Sequence, residues 1–535
     1  MKGGTSLRAE AASNRCARSL LVASDIEICY LARDRERTAA ALLPDCSLTT
    51  GYPVFEPRPM PKATTDHLPC SRRGLARALS ARVIAALTAA SLALAPLGAH
   101  AQSSGPKGPP LLRDTETEQL LRDYTRPILR AAGLEKQNIQ VVIINDPSFN
   151  AFVADGHRIF VNYGALLQSQ TPNQLIGVLA HETGHLAGGH LSKLRIQLAQ
   201  AQTQMIVAML LGVGAIVAGA RSGPNSSAGN IGAAAIAGPQ EMIRRNLLSY
   251  QRQQEENADR AGVKFLTATG QSAKGMYETF KRFTDESLFS SRGADPYAQS
   301  HPMPAERVAA LADLARSSPY WDKKDDPALQ MRHDMMRAKV SGFMERADTV
   351  YRRYPPSDNS LPARYARAIA TYLHGDPRSA QAQIDGLIQA QPNNPYFYEL
   401  RGQALIEGGK PAEAIAPLRK AVALTNGAPL IEMMLGQALV ATENKATTDE
   451  AVRILRAALA REPEAPLGYM QLAMAYGRQG NYAEADLASA QAAYLRGDNK
   501  TARELASRAK TRFPVGSPGW VKSDDILAAK MGSQK

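Results

Sequence analysis

Cysteine is nearly absent from this chain. Its four cysteines, Cys16, Cys29, Cys46 and Cys70, all precede residue 71 of 535. The remainder must fold without disulfides, and any metal there must be held by histidine and carboxylate rather than thiolate. Long apolar runs are missing too. The two uninterrupted ones, 83–98 and 205–220, fall short of the roughly 20 residues that a spanning helix requires. No run of lysine and arginine carries interleaved aromatics, so nucleic acid is not an expected partner. Net charge is +13, a surplus compatible with anionic surfaces but diagnostic of none.

What is present begins with a leader. Residues 71–77 are basic, 83–98 are apolar, and Ala99-His100-Ala101 puts small residues where signal peptidase inspects the chain. This is the pattern of a secretory signal cut after Ala101. Residues 60–101 are therefore read as the signal peptide, with Met60 as a candidate start. Residues 1–59 are read as a start-site artefact or a disordered leader, and 102–114 as a Pro/Gly-rich linker. A bacterial type of signal with no disulfide framework behind it points to the periplasm.

The chemistry is concentrated in His181-Glu182-Thr183-Gly184-His185. Thr171 reads as an N-cap, Pro172 as the first helical residue, and Gln174 closes a capping box. Leu175, Ile176, Val178, Leu179 and Leu186 then recur at helical spacing. Residues four apart stack on one helix face, so His181 and His185 can share one Zn²⁺, while Glu182 reaches the attacking water instead. A metal lowers the pKa of water to about 7, and Glu182 can take a proton and later deliver it to a leaving amine. A third histidine of the metzincin type is excluded, because Leu191 stands where it would have to be. His190 comes one residue early and, on a continuing helix, points about 140° away. It is assigned a structural or supporting role. His157, beside an Asp155-Gly156 turn, is read as a solvated loop residue.

A carboxylate is still needed. Residues 239–269 read as one helix capped by Gly270, and within it Glu255 and Asp259 are four apart on one face. Glu255 completes a His₂Glu set with one open position. Asp259 would orient one of the histidines.

These residues resemble the zinc metallopeptidase family that contains the CAAX prenyl protease and the heat-shock protease HtpX. The shared pattern is H-E-x-x-H at His181 to His185, then E-x-x-A-D at Glu255 to Asp259, preceded by Arg252 and followed by His301-Pro302 and Arg307. The resemblance implies that His301 approaches the metal, where it either hydrogen-bonds the oxyanion or occupies the open site at rest. It also implies that Arg252 and Arg307, like Asp259, support the ligands. Unlike the integral-membrane relatives, the chain shows no multiple spanning segments.

The expected fold is α+β. A metallopeptidase domain with a small sheet spans 115–315, and an all-α tetratricopeptide-like solenoid spans 327–515, with a tail over 516–535. A helix is predicted over 115–132, a buried strand over 139–144, and a hairpin over 150–161 whose edge could take an extended peptide. Residues 205–220 read either as a buried hairpin or flap or as a peripheral membrane contact, and 221–238 as flexible sequence. Pro362, Pro395, Pro429 and Pro466 open units near the 34-residue tetratricopeptide period. The extra residues of the longest unit are expected in an inter-helix loop at 443–449. An earlier degenerate unit starts at Pro327, and a capping pair spans 494–513.

The family resemblance, together with the repeats, implies outer-membrane protein assembly and quality control, with unfolded or misassembled outer-membrane proteins as clients. The barrel assembly machinery would be a docking partner through the repeats. The functional reading is a periplasmic endopeptidase holding one Zn²⁺ per chain. One rival is a chaperone or adaptor with a latent zinc site, and a third reading is a small-peptide hydrolase.

Overall fold

The computed structural model describes residues 110–220, 228–289 and 296–529. The segment read as a signal peptide, the residues before it and positions 102–109 lie outside the described residues. The first helix, α1 (Thr115–Ala131), starts at Asp114, whose carboxylate accepts the Thr117 N–H at 2.8 Å. Its spaced apolar residues Leu120, Leu121, Tyr124, Ile128 and Leu129 are buried.

Strands β1 (Leu111–Leu112), β2 (Gln140–Ile144), β3 (Ala151–Val153) and β4 (Arg158–Asn162) form one sheet in the order β1-β2-β4-β3. β2 and β4 run parallel, and the two outer strands are antiparallel to their neighbours. The short β3 is therefore an edge. The expected tight turn at Asp155-Gly156 is instead a four-residue connection, 154–157. Asp155 Oδ1 accepts the N–H groups of His157 (2.9 Å) and Arg158 (2.8 Å), so the aspartate side chain shapes the loop.

Next come α2 (Tyr163–Gln168) and α3 (Pro172–Gly188), the central helix of the domain. Thr171 caps α3 by accepting the Gln174 N–H, while the Gln174 side chain takes the N–H of Gln170. Leu175, Ile176, Val178 and Leu179 sit in one core with Val263, Leu266, Phe280 and Phe283. These partners come from α5 (Ala228–Ala268) and α6 (Lys274–Phe289), and β3 and α1 also pack on α3. Between α3 and α5 runs α4 (His190–Ala220).

Residues 205–220 form the second half of α4, and at the start of this stretch Ile206 and Val207 are exposed. One expectation fails, at 221–238, of which 221–227 lie outside the described residues. α5 begins at Ala228, well before Pro239, because alanine offsets glycine in this stretch and α4 packs alongside. Among the described residues no helix is long and apolar enough to cross a membrane. The domain ends with α7 (Pro296–Ser300) and α8 (Ala305–Arg316).

Helical pairs follow: α9 (Pro327–Met344) with the short α10 (Ala347–Arg353), α11 (Leu361–His374) with α12 (Pro377–Ala390), and α13 (Pro395–Glu407) with α14 (Pro411–Leu424). Then come α15 (Pro429–Ala441) with α16 (Lys445–Arg461), α17 (Pro466–Arg478) with α18 (Tyr482–Leu495), and α19 (Asn499–Arg512) with α20 (Pro518–Ala528).

Prolines occupy the first turn of α11 to α15, α17 and α20, where a fixed φ is already helical and no N–H is lost. The longest unit puts its extra residues into the helix rather than the loop: α16 has 17 residues where α14 has 14. Asn444 starts α16 early by accepting the Ala446 N–H. Tyr494 belongs to α18, so the terminal pair is α19 and α20. Part of the expected tail is thus α20, held by the buried Ile526 in a cluster with Ala490 and Ala506.

α9 joins the repeats to the peptidase domain. His333 is fully buried, with Nε2 2.8 Å from the Ser169 carbonyl and Nδ1 3.0 Å from the Tyr124 hydroxyl. Lys339 meets Asp114 and Glu116 at the start of α1 and Glu399 on α13. Burial pushes the Glu116 carboxyl up to about 7, with Asp114 and Glu399 adding to the rise and Lys339 opposing it. A carboxyl raised in the fold contributes stability below its unfolded value and loses it as pH climbs through 7. Glu116→Gln, which can still accept from the Tyr365 hydroxyl, should raise the melting temperature at pH 8 but not at pH 4. The gain at pH 8 should be on the order of 3 kcal/mol, read by thermal denaturation at the two pH values.

A candidate metal centre on two helices

α3 and α5 can bring their functional side chains together because they touch backbone to backbone. A Cβ at Gly184 would stand 2.7 Å from the Ala258 carbonyl oxygen. That approach sets Glu255, one turn before Ala258, against the α3 histidines. His301 arrives from the loop between α7 and α8.

The four donors His181, His185, Glu255 and His301 have ligand atoms within 4.8 Å of one another. His181 Nε2 lies 3.0 Å from His185 Nε2 and 3.4 Å from Glu255 Oε2, and His185 Nε2 is 3.4 Å from Glu255 Oε1. His301 Nδ1 is 3.0 Å from Glu255 Oε2 and 3.3 Å from His181 Nε2. Behind them, His181 Nδ1 faces Asp259 Oδ1 at 2.9 Å, which turns Nε2 into the cluster. Arg307 grips Asp259 through two nitrogens, at 2.7 and 2.9 Å, and its Nη1 reaches Glu255 Oε2 at 3.0 Å.

The electrostatics favour a cation. Burial disfavours a charged His181, yet Asp259 and Glu255 outweigh it and raise the ring to about 9. Burial lowers His185 to about 3. Burial would also raise Glu255, but His301, His181 and His185 hold it well below the usual carboxylate range. Two imidazole nitrogens 3.0 Å apart, with a carboxylate beside them, suit a shared positive charge. The donor set therefore fits a metal of the kind that imidazole and carboxylate hold. Glu182 stands next to this set: it is fully buried, neither carboxylate oxygen has a hydrogen-bond partner, and burial raises its pKa.

The structure thus brings together His181, Glu182, His185, Glu255, Asp259, His301 and Arg307. Arg252 is not among them. It is exposed on α5 and makes no ion pair or hydrogen bond among the described residues. His190 departs from its expected direction only. Gly189 takes φ 60° and ends α3, so the chain turns and places His190 Nδ1 3.0 Å from His185 Nδ1. The Gly188-Gly189 pair is the available sign of that break. Tyr297, whose ring centroid is 4.7 Å from that of His301, carries no sequence signal.

Residues 115–315 match the model of Peptidase family M48, and residues 365–429 and 433–488 match that of a tetratricopeptide repeat. The chain therefore carries a metalloprotease domain of this family, followed by tetratricopeptide repeats. It is similar to the β-barrel assembly-enhancing protease of Yersinia pestis, 24% identical over 426 residues that cover 76% of this chain and 82% of the relative. The protein of that name from Escherichia coli K12 is 24% identical over 427 residues, with the same coverage. A mitochondrial metalloendopeptidase of Schizosaccharomyces pombe is 36% identical over 63 residues, 12% of this chain and 19% of that protein.

Asp259→Asn keeps the shape but weakens the acceptor behind His181. Metal affinity should fall about 10- to 100-fold, measured by competition with a chelator.

Proposed function

We propose that this chain is a periplasmic zinc endopeptidase that cleaves unfolded or misassembled outer-membrane proteins during their assembly. The observation that carries the reading is the convergence of four ligand atoms beside the buried Glu182, whose Oε1 lies 3.5 Å from His301 Nε2. His181, His185 and Glu255 hold one Zn²⁺, and Asp259 and Arg307 orient them. Zinc supplies Lewis acidity toward the scissile carbonyl and the nucleophilic water. Glu182 accepts the proton of the attacking water and returns it to the leaving amine, a role suited to a carboxyl whose pKa burial has raised. An extended client would add to the β3 edge beside α3, which favours unfolded chains over folded ones. The repeats recruit the client or dock on the barrel assembly machinery. The exposed apolar face around Ile206 and Val207 offers a peripheral membrane contact.

One observation favours a second reading, a chaperone or adaptor whose zinc site is latent. His301 Nδ1 sits among the ligand atoms, from where it would compete for the position that a catalytic zinc keeps open. On the peptidase reading this is a gate that withdraws when a client binds.

Zinc content and cleavage of an unfolded outer-membrane protein test both. Glu182→Gln should retain one zinc and lose about 10³-fold in hydrolysis. His301→Ala should retain zinc and cleave faster than the unaltered chain. Slower cleavage with zinc retained would make His301 a transition-state residue. Zinc without cleavage in every form, while client aggregation is still suppressed, would favour the chaperone.

A further inference from the structure

Next to the candidate metal centre, α5, α6, α7 and the loop after His301 enclose a groove of about 420 Å³. Phe283 and Met303 form its buried floor, and Leu248, Ala298, Pro302 and Arg252 its walls and rim. We propose that this groove is a specificity pocket, taking one apolar side chain of the substrate whose acidic neighbour is held by Arg252.

The inference rests on the peptidase reading and adds to it a class of cleavage site. Continuity with the centre is the first argument. Pro302 directly follows His301, and Arg252 lies three residues before Glu255 on α5, so the two share neighbouring positions on that helix. An extended chain advances about 3.3 Å per residue, so a side chain within a few positions of the scissile bond can reach the groove. The second argument is chemical. Apart from Gln251 and Arg252 the lining is apolar, and the volume lies within the roughly 300–1,000 Å³ of ligand pockets. Arg252 is the one charged lining residue and has no carboxylate partner among the described residues. An unpaired guanidinium on an apolar rim selects a carboxylate beside an apolar group.

The test uses the full zinc-loaded chain and fluorescent peptides that differ only in one residue pair, Phe-Asp, Phe-Lys or Ala-Asp. Binding is read by anisotropy on the Glu182→Gln form, and cleavage with Glu182 intact. Phe-Asp should bind and be cleaved about 10-fold better than either alternative. Adding Arg252→Glu should invert the Asp-to-Lys preference, and Ala298→Leu, which narrows the groove, should erase the Phe-to-Ala preference. Discrimination in binding without any cleavage would uphold the groove and overturn the peptidase reading. Equal binding of the three peptides, or preferences untouched by both substitutions, would overturn the groove.

Discussion

The centre depends on one buried guanidinium. Arg307 is enclosed beside two buried carboxylates, Glu255 and Asp259, and its charge helps to offset theirs. Two of its nitrogens hold Asp259, which in turn fixes His181, while Nη1 reaches Glu255 and the Pro302 carbonyl, at 3.0 and 2.8 Å. One side chain therefore sets a histidine, a carboxylate and the loop that carries His301. A buried pair of this kind adds little net stability, because desolvation offsets attraction, but removing one partner leaves an uncompensated charge. Its contribution is to geometry: the α3 and α5 donors meet in one arrangement.

A second buried charge network lies at the join of the two parts. Lys339 on α9 faces acids from α1 and α13, so a single ammonium ties the first peptidase helix to the repeats. His333, on the same helix, is held neutral by burial and bonded at both nitrogens. α9 is thus fixed to the peptidase side by polar contacts and to α11 by packing. The same helix also contacts α1 and α2.

Much of this is legible in the sequence where helical periodicity carries the information. His181, His185 and Glu255 with Asp259 follow from four-residue spacing on capped helices, and the repeats from their period. His301 is placed only by resemblance, because a loop residue has no periodicity to read. His190 escapes the reading because a continuing helix is the default where glycine allows a left-handed break. Arg252 is expected behind the ligands and lies only about 60° around α5 from Glu255, yet it is exposed, its long stem carrying the charge to the surface. The start of α5 and the shape of the 154–157 loop depend on packing against α4 and on the Asp155 side chain, neither of which composition reveals.

The division of labour within Arg307 bears on how a gate at His301 could work. The nitrogens that hold Asp259 are Nε and Nη2, whereas Nη1 holds the Pro302 carbonyl. On the proposed reading, the His301 loop can move away by giving up the Nη1 bond to Pro302 and the His301 contacts with Glu255, His181 and Glu182, while the Arg307–Asp259–His181 chain remains closed. The ligands then keep their positions as the open site is exposed. A gate whose release disturbed Asp259 would loosen the metal at the moment it is needed, and the separation of these contacts on one guanidinium avoids that conflict.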